Sequence, residues 1–163
     1  MNIMSRTALI ILDLQNCFIT DKTKSLPQKI KEHIESQKYD FLVFSKFINS
    51  GSSNFVKRLN WNKCKISPET DIVPELSELS LQNHILEKNT YSIFKSKEFI
   101  DFLSQNKISK LFFCGLDLDA CILASAFESF DLGFDFEILY ELSGSSAKID
   151  MTDLVKQVTN RNL

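Results

Sequence analysis

The chain carries 163 residues, 44% of them hydrophobic and 25% charged, with a formal net charge of −2. One globular domain, residues 1–163, is expected, large enough to bury most of its apolar surface without metals or disulfides. The charge balance excludes a basic face for nucleic acid or an anionic membrane, and no apolar run approaches the length of a membrane span.

Residues 1–6 lack the zones of a secretory signal and run straight into a strand, so a cytoplasmic location is expected. That strand, Thr7-Ala8-Leu9-Ile10-Ile11-Leu12, ends at Asp13. A continuous apolar run of this kind marks a strand covered on both faces, as in parallel sheets. A helical pattern extends from Leu26-Pro27 to Gln37, with Pro27 suited to the first turn. Asp40-Phe41-Leu42-Val43-Phe44 predicts a second buried strand, and residues 55–61 show weak helical periodicity. Pro68 and Pro74 bracket what reads as an irregular connector, followed by a short strand at His84-Ile85-Leu86. Residues 96–106 predict an amphipathic helix with Phe99, Ile100 and Leu103 on one face. A strand at 110–114 leads into a helix from Asp119 to about Leu132, stopped at Gly133. A strand at Phe136-Glu137-Ile138-Leu139-Tyr140 and a helix near 150–158 complete the pattern.

Strands alternating with helices predict an α/β fold, a three-layer sandwich with helices on both faces of a central, mainly parallel sheet. In such a sheet a site lies beyond the C-terminal ends of the strands, where the strand order reverses. Asp13 and the stretch Gly115-Leu116-Asp117-Leu118-Asp119-Ala120-Cys121-Ile122 both fall at strand C-termini, so they can meet.

Cys121 has two readings. It is either one more small buried residue or a nucleophile whose thiolate is stabilised by the unpaired N–H groups at a helix start. Asp13 is either a turn aspartate or a carboxylate with a chemical task, and Lys88 is either a surface lysine or part of a site. Asp117 and Asp119 oppose ionisation of Cys121. Asp119 is expected to cap the following helix and Asp117 to face solvent or a basic partner, leaving Cys121 below the ordinary thiol value of about 8.5. Cys17, Cys64, Cys114 and Cys121 show no close paired spacing, and four reduced thiols are expected. His33 and His84 read as structural.

Three segments, in chain order, resemble motifs of one superfamily. Asp13-Leu14-Gln15-Asn16-Cys17-Phe18 is similar to Asp-x-Gln-x-x-Phe, and Lys88-Asn89-Thr90-Tyr91-Ser92-Ile93-Phe94 to Lys-x-x-Tyr-Ser-x-Phe. The Gly115 to Ile122 stretch is similar to Gly-x-x-Thr-Asp-x-Cys-Val. Together they resemble the isochorismatase-like cysteine hydrolases, which include nicotinamidases, N-carbamoylsarcosine amidohydrolases and isochorismatases. Ser45-Lys46-Phe47-Ile48-Asn49, Ser53-Asn54-Phe55 and Leu59-Asn60-Trp61 resemble the generic cysteine hydrolase branch.

The resemblance implies Cys121 as nucleophile, Asp13 as general base and Lys88 as the group that lowers the Cys121 pKa and orients Asp13. It implies an oxyanion hole from the backbone N–H groups of Asp117 and Cys121, and a cis peptide between Leu116 and Asp117. Phe18, Phe47, Trp61 and Tyr91 become candidate pocket walls. The chain departs from the pattern at Leu118, where a smaller residue is common, and at Glu141, which stands for an Asp. The usual C-terminal His is also missing. Nicotinamidases bind a metal through an Asp-x-His pair and a second His after the second strand. The region Phe47-Ile48-Asn49 has no histidine near it, so no metal and no cofactor are expected.

The expectation is a metal-free cysteine hydrolase that cleaves a small-molecule amide, imide or ureido C–N bond through a thioester, as a homodimer or homotetramer. The alternative is a catalytically altered binding or interaction module on the same fold, distinguished by whether Cys121 alkylates selectively. A flavodoxin-like nucleotide binder is opposed by the absence of glycine in Asp13-Leu14-Gln15-Asn16.

Overall fold

The computed structural model describes residues 6–163; the reading of residues 1–5 lies outside them. Strands β1 (Arg6–Leu12), β2 (Phe41–Phe47), β3 (His84–Lys88), β4 (Ile108–Gly115) and β5 (Asp135–Ser143) form one parallel sheet in the order β3-β2-β1-β4-β5. The chain builds outward from β1 on one side, then returns to β4 on the other. The order therefore reverses between β1 and β4, and their C-terminal ends flank a crevice.

Period-two alternation along β1 divides its side chains between two cores. Ala8, Ile10 and Leu12 pack with Phe99, Phe102 and Leu103 of α4 (Lys97–Asn106), Ala126 of α5 (Leu123–Asp131) and Val155 of α6 (Thr152–Asn162). Leu9 and Ile11 pack on the opposite face with Leu26 and Ile30 of α1 (Leu26–Ser36) and Leu76 of α3 (Pro74–Leu81). This is the expected three-layer α/β arrangement. Among the described residues, no helix is long and apolar enough to cross a membrane.

Two local expectations are corrected. Between the connector bracketed by Pro68 and Pro74 and the strand at His84, where no helix was expected, lies α3, which has Pro74 in its first turn. Proline breaks helix interiors but suits this position, where its missing N–H has no intrahelical partner to lose. The helix expected from Asp119 begins instead as a π-helical turn, Leu118–Ile122, in which the Ile122 N–H reaches back to the Asp117 carbonyl (3.1 Å). The cap position is therefore Asp117, whose side chain makes no capping bond, and Asp119 sits inside the first turn.

Candidate active site

Asp13 follows the last residue of β1 and is fully buried. Its backbone lies in the left-handed region (φ 50°), which turns the chain sharply out of the sheet. Ser45 of β2 holds it from the side: the hydroxyl accepts the Asp13 backbone N–H (3.1 Å) and donates to Asp13 Oδ1. Asp13 Oδ2 is left to face Lys88, the last residue of β3, at 2.7 Å from Nζ.

Lys88 is buried, and its ammonium has three partners for its three N–H groups. These are Asp13 Oδ2 (2.7 Å), the Thr90 carbonyl (2.8 Å) and Cys121 Sγ (3.4 Å). Burial works against its charge, but Asp13 and Cys121 outweigh burial and hold the ammonium above its ordinary pKa.

Cys121 reaches this pair from the π-helical turn beyond β4. Gly115 makes the close approach of β4 to β1 possible. Its φ is +113°, and a Cβ there would lie 2.2 Å from the Leu12 carbonyl oxygen. The Leu116–Asp117 peptide is cis. The Asp117 backbone N–H has no hydrogen-bond partner among the described residues, while the flanking Leu118 N–H is taken by the Gly144 carbonyl (2.7 Å). Asp117 and Cys121 line the same cavity.

Two electrostatic expectations are corrected here. Asp117 does not face solvent: its carboxylate accepts the Ser146 backbone N–H and hydroxyl, each at 2.7 Å. Burial raises its pKa, against the opposing pull of the Ser146 hydrogen bonds. Cys121 is not held below the ordinary thiol value. Burial first, then the Asp13 charge, push the thiol up, and Lys88 pulls it down without reversing the shift. Burial and Asp13 thus favour the protonated thiol, whose sulfur the Lys88 ammonium contacts at 3.4 Å.

Cys121 opens onto a cavity of about 380 Å³. Phe18, Phe47, Trp61 and Tyr91, the expected wall residues, all line it, and Phe55 joins them. Phe18 stacks on Trp61 (5.8 Å, 17° between planes), and Phe47 carries the Lys88 ammonium over its ring at 5.2 Å. The expectation of four reduced thiols is also corrected. Cys17 and Cys64 are joined in a disulfide with Cα atoms 5.5 Å apart, beside this cavity. Glu69 brings the two together, its carbonyl accepting the Cys17 N–H (3.0 Å) and its carboxylate the Cys64 N–H (2.7 Å).

Ser45, Gln15 and Asn49 were present in the motifs without an assigned task. Gln15 Nε2 donates to the Phe47 and Thr70 carbonyls, both at 2.9 Å, and its Oε1 accepts the Phe47 N–H (2.7 Å). It ties the end of β1 to the end of β2. The available signal was polarity: Ser45 and Gln15 interrupt or directly follow strands that are otherwise apolar. The residues do not fit a metal of the nicotinamidase kind. Among the described residues, no three His, Cys, Asp or Glu side chains converge, and the Asn49 amide is committed to backbone carbonyls.

Fold and site together define a doubly wound α/β protein with a cysteine-centred pocket at the switch point of its sheet. The chain belongs to the isochorismatase family of hydrolases, since the Isochorismatase domain model matches residues 7–160. A search of curated protein sequences returned no match. Several solved structures share the fold. An isochorismatase-like hydrolase from Alkaliphilus metalliredigens superimposes with TM-score 0.84 at 15% identity, over 96% of this chain and 92% of that one. A nicotinamidase from Bacillus subtilis gives 0.83 at 20%, over 96% of each chain. N-carbamoylsarcosine amidase from Thermoplasma acidophilum gives 0.82 at 19%, over 96% and 92%.

Proposed function

We propose that this protein hydrolyses a small-molecule amide, imide or ureido C–N bond through an acyl-enzyme thioester on Cys121. The observation that carries this reading is the sealed Asp13–Lys88–Cys121 cluster, continuous by 2.7 and 3.4 Å contacts and opening onto one aromatic cavity. The fold it shares with a nicotinamidase and an N-carbamoylsarcosine amidase supports the same class.

Cys121 Sγ attacks the substrate carbonyl carbon as its proton passes to Asp13, so the thiolate forms only as it is consumed. The raised thiol pKa supports this order of events. The new oxyanion is held by the backbone N–H groups of Asp117 and Cys121. Collapse breaks the C–N bond, and the leaving nitrogen takes the proton back from Asp13. Water then attacks the thioester carbonyl, giving up a proton to Asp13. Expulsion of Cys121 returns that proton to sulfur and releases the acid. Lys88 stays charged throughout, and its fixed positive charge favours each anionic state of the cluster.

The test is mass-spectrometric turnover of a panel of primary amides, imides and ureides, with Cys121→Ala as control. We expect at least one panel member to be hydrolysed with an acyl adduct on Cys121, trapped by hydroxylamine. No turnover, no adduct and no preferential labelling of Cys121 by iodoacetamide would refute the proposal and leave a binding role.

A further inference from the structure

We infer that Cys17 is a thiol-exchange site: a low-molecular-weight thiol entering the cavity opens the Cys17–Cys64 disulfide at Cys17 and leaves a mixed disulfide there. The adduct then occupies the cavity that Cys121 shares. The inference goes beyond hydrolysis and holds for whatever reaction Cys121 performs.

The two sulfurs of the disulfide differ in access. Cys17 is half-buried in the short turn Asn16–Phe18 and lines the cavity together with Cys121. Cys64 is 0% exposed and is not among the lining residues. Exchange requires a thiolate to reach one sulfur while the other leaves, so access selects Cys17 for attack and Cys64 as leaving group. Of the two charged residues that line the cavity, Lys63 is exposed, whereas the Asp117 carboxylate is taken up by Ser146. An incoming thiolate therefore meets an open positive charge.

The surroundings of Cys64 suit its departure. Gln15 Nε2 lies 3.7 Å from Cys64 Sγ as a donor, which favours negative charge arriving on that sulfur. Once protonated, the Cys64 thiol has the Phe47 carbonyl at 3.5 Å to donate to. Residues 60–73, between α2 (Asn54–Leu59) and α3, contain no helix or strand, yet they keep their place without the disulfide. Asn16 donates through its N–H to the Asp71 carbonyl (3.0 Å) and through Nδ2 to the Pro68 carbonyl (2.8 Å). Asn49 donates its backbone N–H to the Cys64 carbonyl (2.8 Å), and Gln15 holds the Thr70 carbonyl (2.9 Å). The bond can open and close over a segment that stays put.

In the first step the thiolate bonds to Cys17 Sγ as the bond to Cys64 breaks. The electron pair passes to Cys64, which takes a proton from water. Attack by Cys64 on the adduct reverses the step. Attack by a second thiolate on the sulfur of the bound thiol releases Cys17, so two thiols are oxidised to one disulfide and the protein pair is reduced.

The experiment exposes the full chain to reduced glutathione near pH 8, where part of the thiol is ionised, and maps acid-quenched adducts by mass spectrometry. Glutathione should appear on Cys17 at least about tenfold more than on Cys64. Disulfide loss in the native protein should run within about a hundredfold of its rate in urea, since exchange that waits for unfolding lags about a thousandfold or more. Cys64→Ser, treated with oxidised glutathione, should carry the adduct on Cys17. Molecules modified there alone should alkylate at Cys121 with iodoacetamide at least about tenfold more slowly than the untreated variant.

Adducts mainly on Cys64, a native rate lagging by more than that hundredfold, or unchanged alkylation of Cys121 beside the Cys17 adduct would each overturn the inference. Should Cys64→Ser not fold, or Cys121 not alkylate, the adduct map and the rate ratio of the parent protein decide.

Discussion

Lys88 Nζ lies 2.7 Å from Asp13 Oδ2, with the two side chains 1% and 0% exposed. An ion pair so completely withdrawn from water persists because each partner has its remaining positions filled, Asp13 by Ser45 and Lys88 by the Thr90 carbonyl and Cys121. Removing one partner strands the other. Lys88→Met and Asp13→Asn should each destabilise the fold by about 3–5 kcal/mol, and the double variant by clearly less than their sum. Urea denaturation of the four proteins checks this; simple additivity would mean that the pair is not coupled.

The same pair pulls Cys121 in opposite directions. Asp13 raises the thiol pKa and Lys88 lowers it. Asp13→Asn should therefore shift the iodoacetamide rate profile of Cys121 to lower pH, and Lys88→Met should shift it to higher pH. Shifts of the same sign in both variants would contradict the electrostatic assignment. Turnover should collapse in both, since one loses the proton acceptor and the other its charge partner.

Alkaline stability follows from the two buried thiols. Burial raises the pKa of Cys114, and burial with Asp13 raises that of Cys121, so both remain protonated in the folded state above the ordinary thiol range. Unfolded thiols ionise near pH 8.5, so this contribution is fully present below that value and is lost as pH rises through it. Each thiol should cost about 1.4 kcal/mol per pH unit above the threshold. Denaturation midpoints between about pH 8 and 10 should fall steeply, and Cys114→Ala should flatten the fall even though it lowers stability overall. An equal slope in the variant would refute the account.

Gly115→Ala tests the crevice between β1 and β4. The new methyl would meet the Leu12 carbonyl oxygen at 2.2 Å on a backbone that side chains disfavour. Relief requires β1 and β4 to part, so the expected result is a loss of several kcal/mol, or no soluble protein, by chemical denaturation. Gly133→Ala provides the comparison: its φ is also positive (+79°), but the added methyl meets nothing within 4 Å. The strain there is conformational alone, and the loss should be about 1 kcal/mol.

Much of the frame was legible residue by residue. The apolar run of β1 announced a strand covered on both faces, and residues 8–12 are fully buried. A carboxylate at the end of such a run and a cysteine after Gly115 both belong at strand ends, so topology alone allowed them to meet. What sequence did not yield was set by partners distant along the chain. Ser45 and Asn49 matter because of what stands opposite them: Asp13 in one case, the carbonyls of Trp61 and Lys63 in the other. Cys17 and Cys64 are 47 residues apart and meet only because the segment before α3 folds back over the end of β1. The helix α3 itself was hidden because Pro74 marks a helix start as readily as a break, and only its packing through Leu76 decides between them.

Cys121 draws the line most sharply. Its local sequence placed it at a helix start, where the dipole and free N–H groups favour a thiolate. Local electrostatics of that kind act within a turn. Desolvation is a property of everything packed around the sulfur, and it acts together with an aspartate 108 residues away by the numbering, brought close only by the sheet. Sequence thus determined which groups stand at the strand ends. The tertiary structure decided their charge states, because burial and through-space charge depend on neighbours that the order of residues does not name.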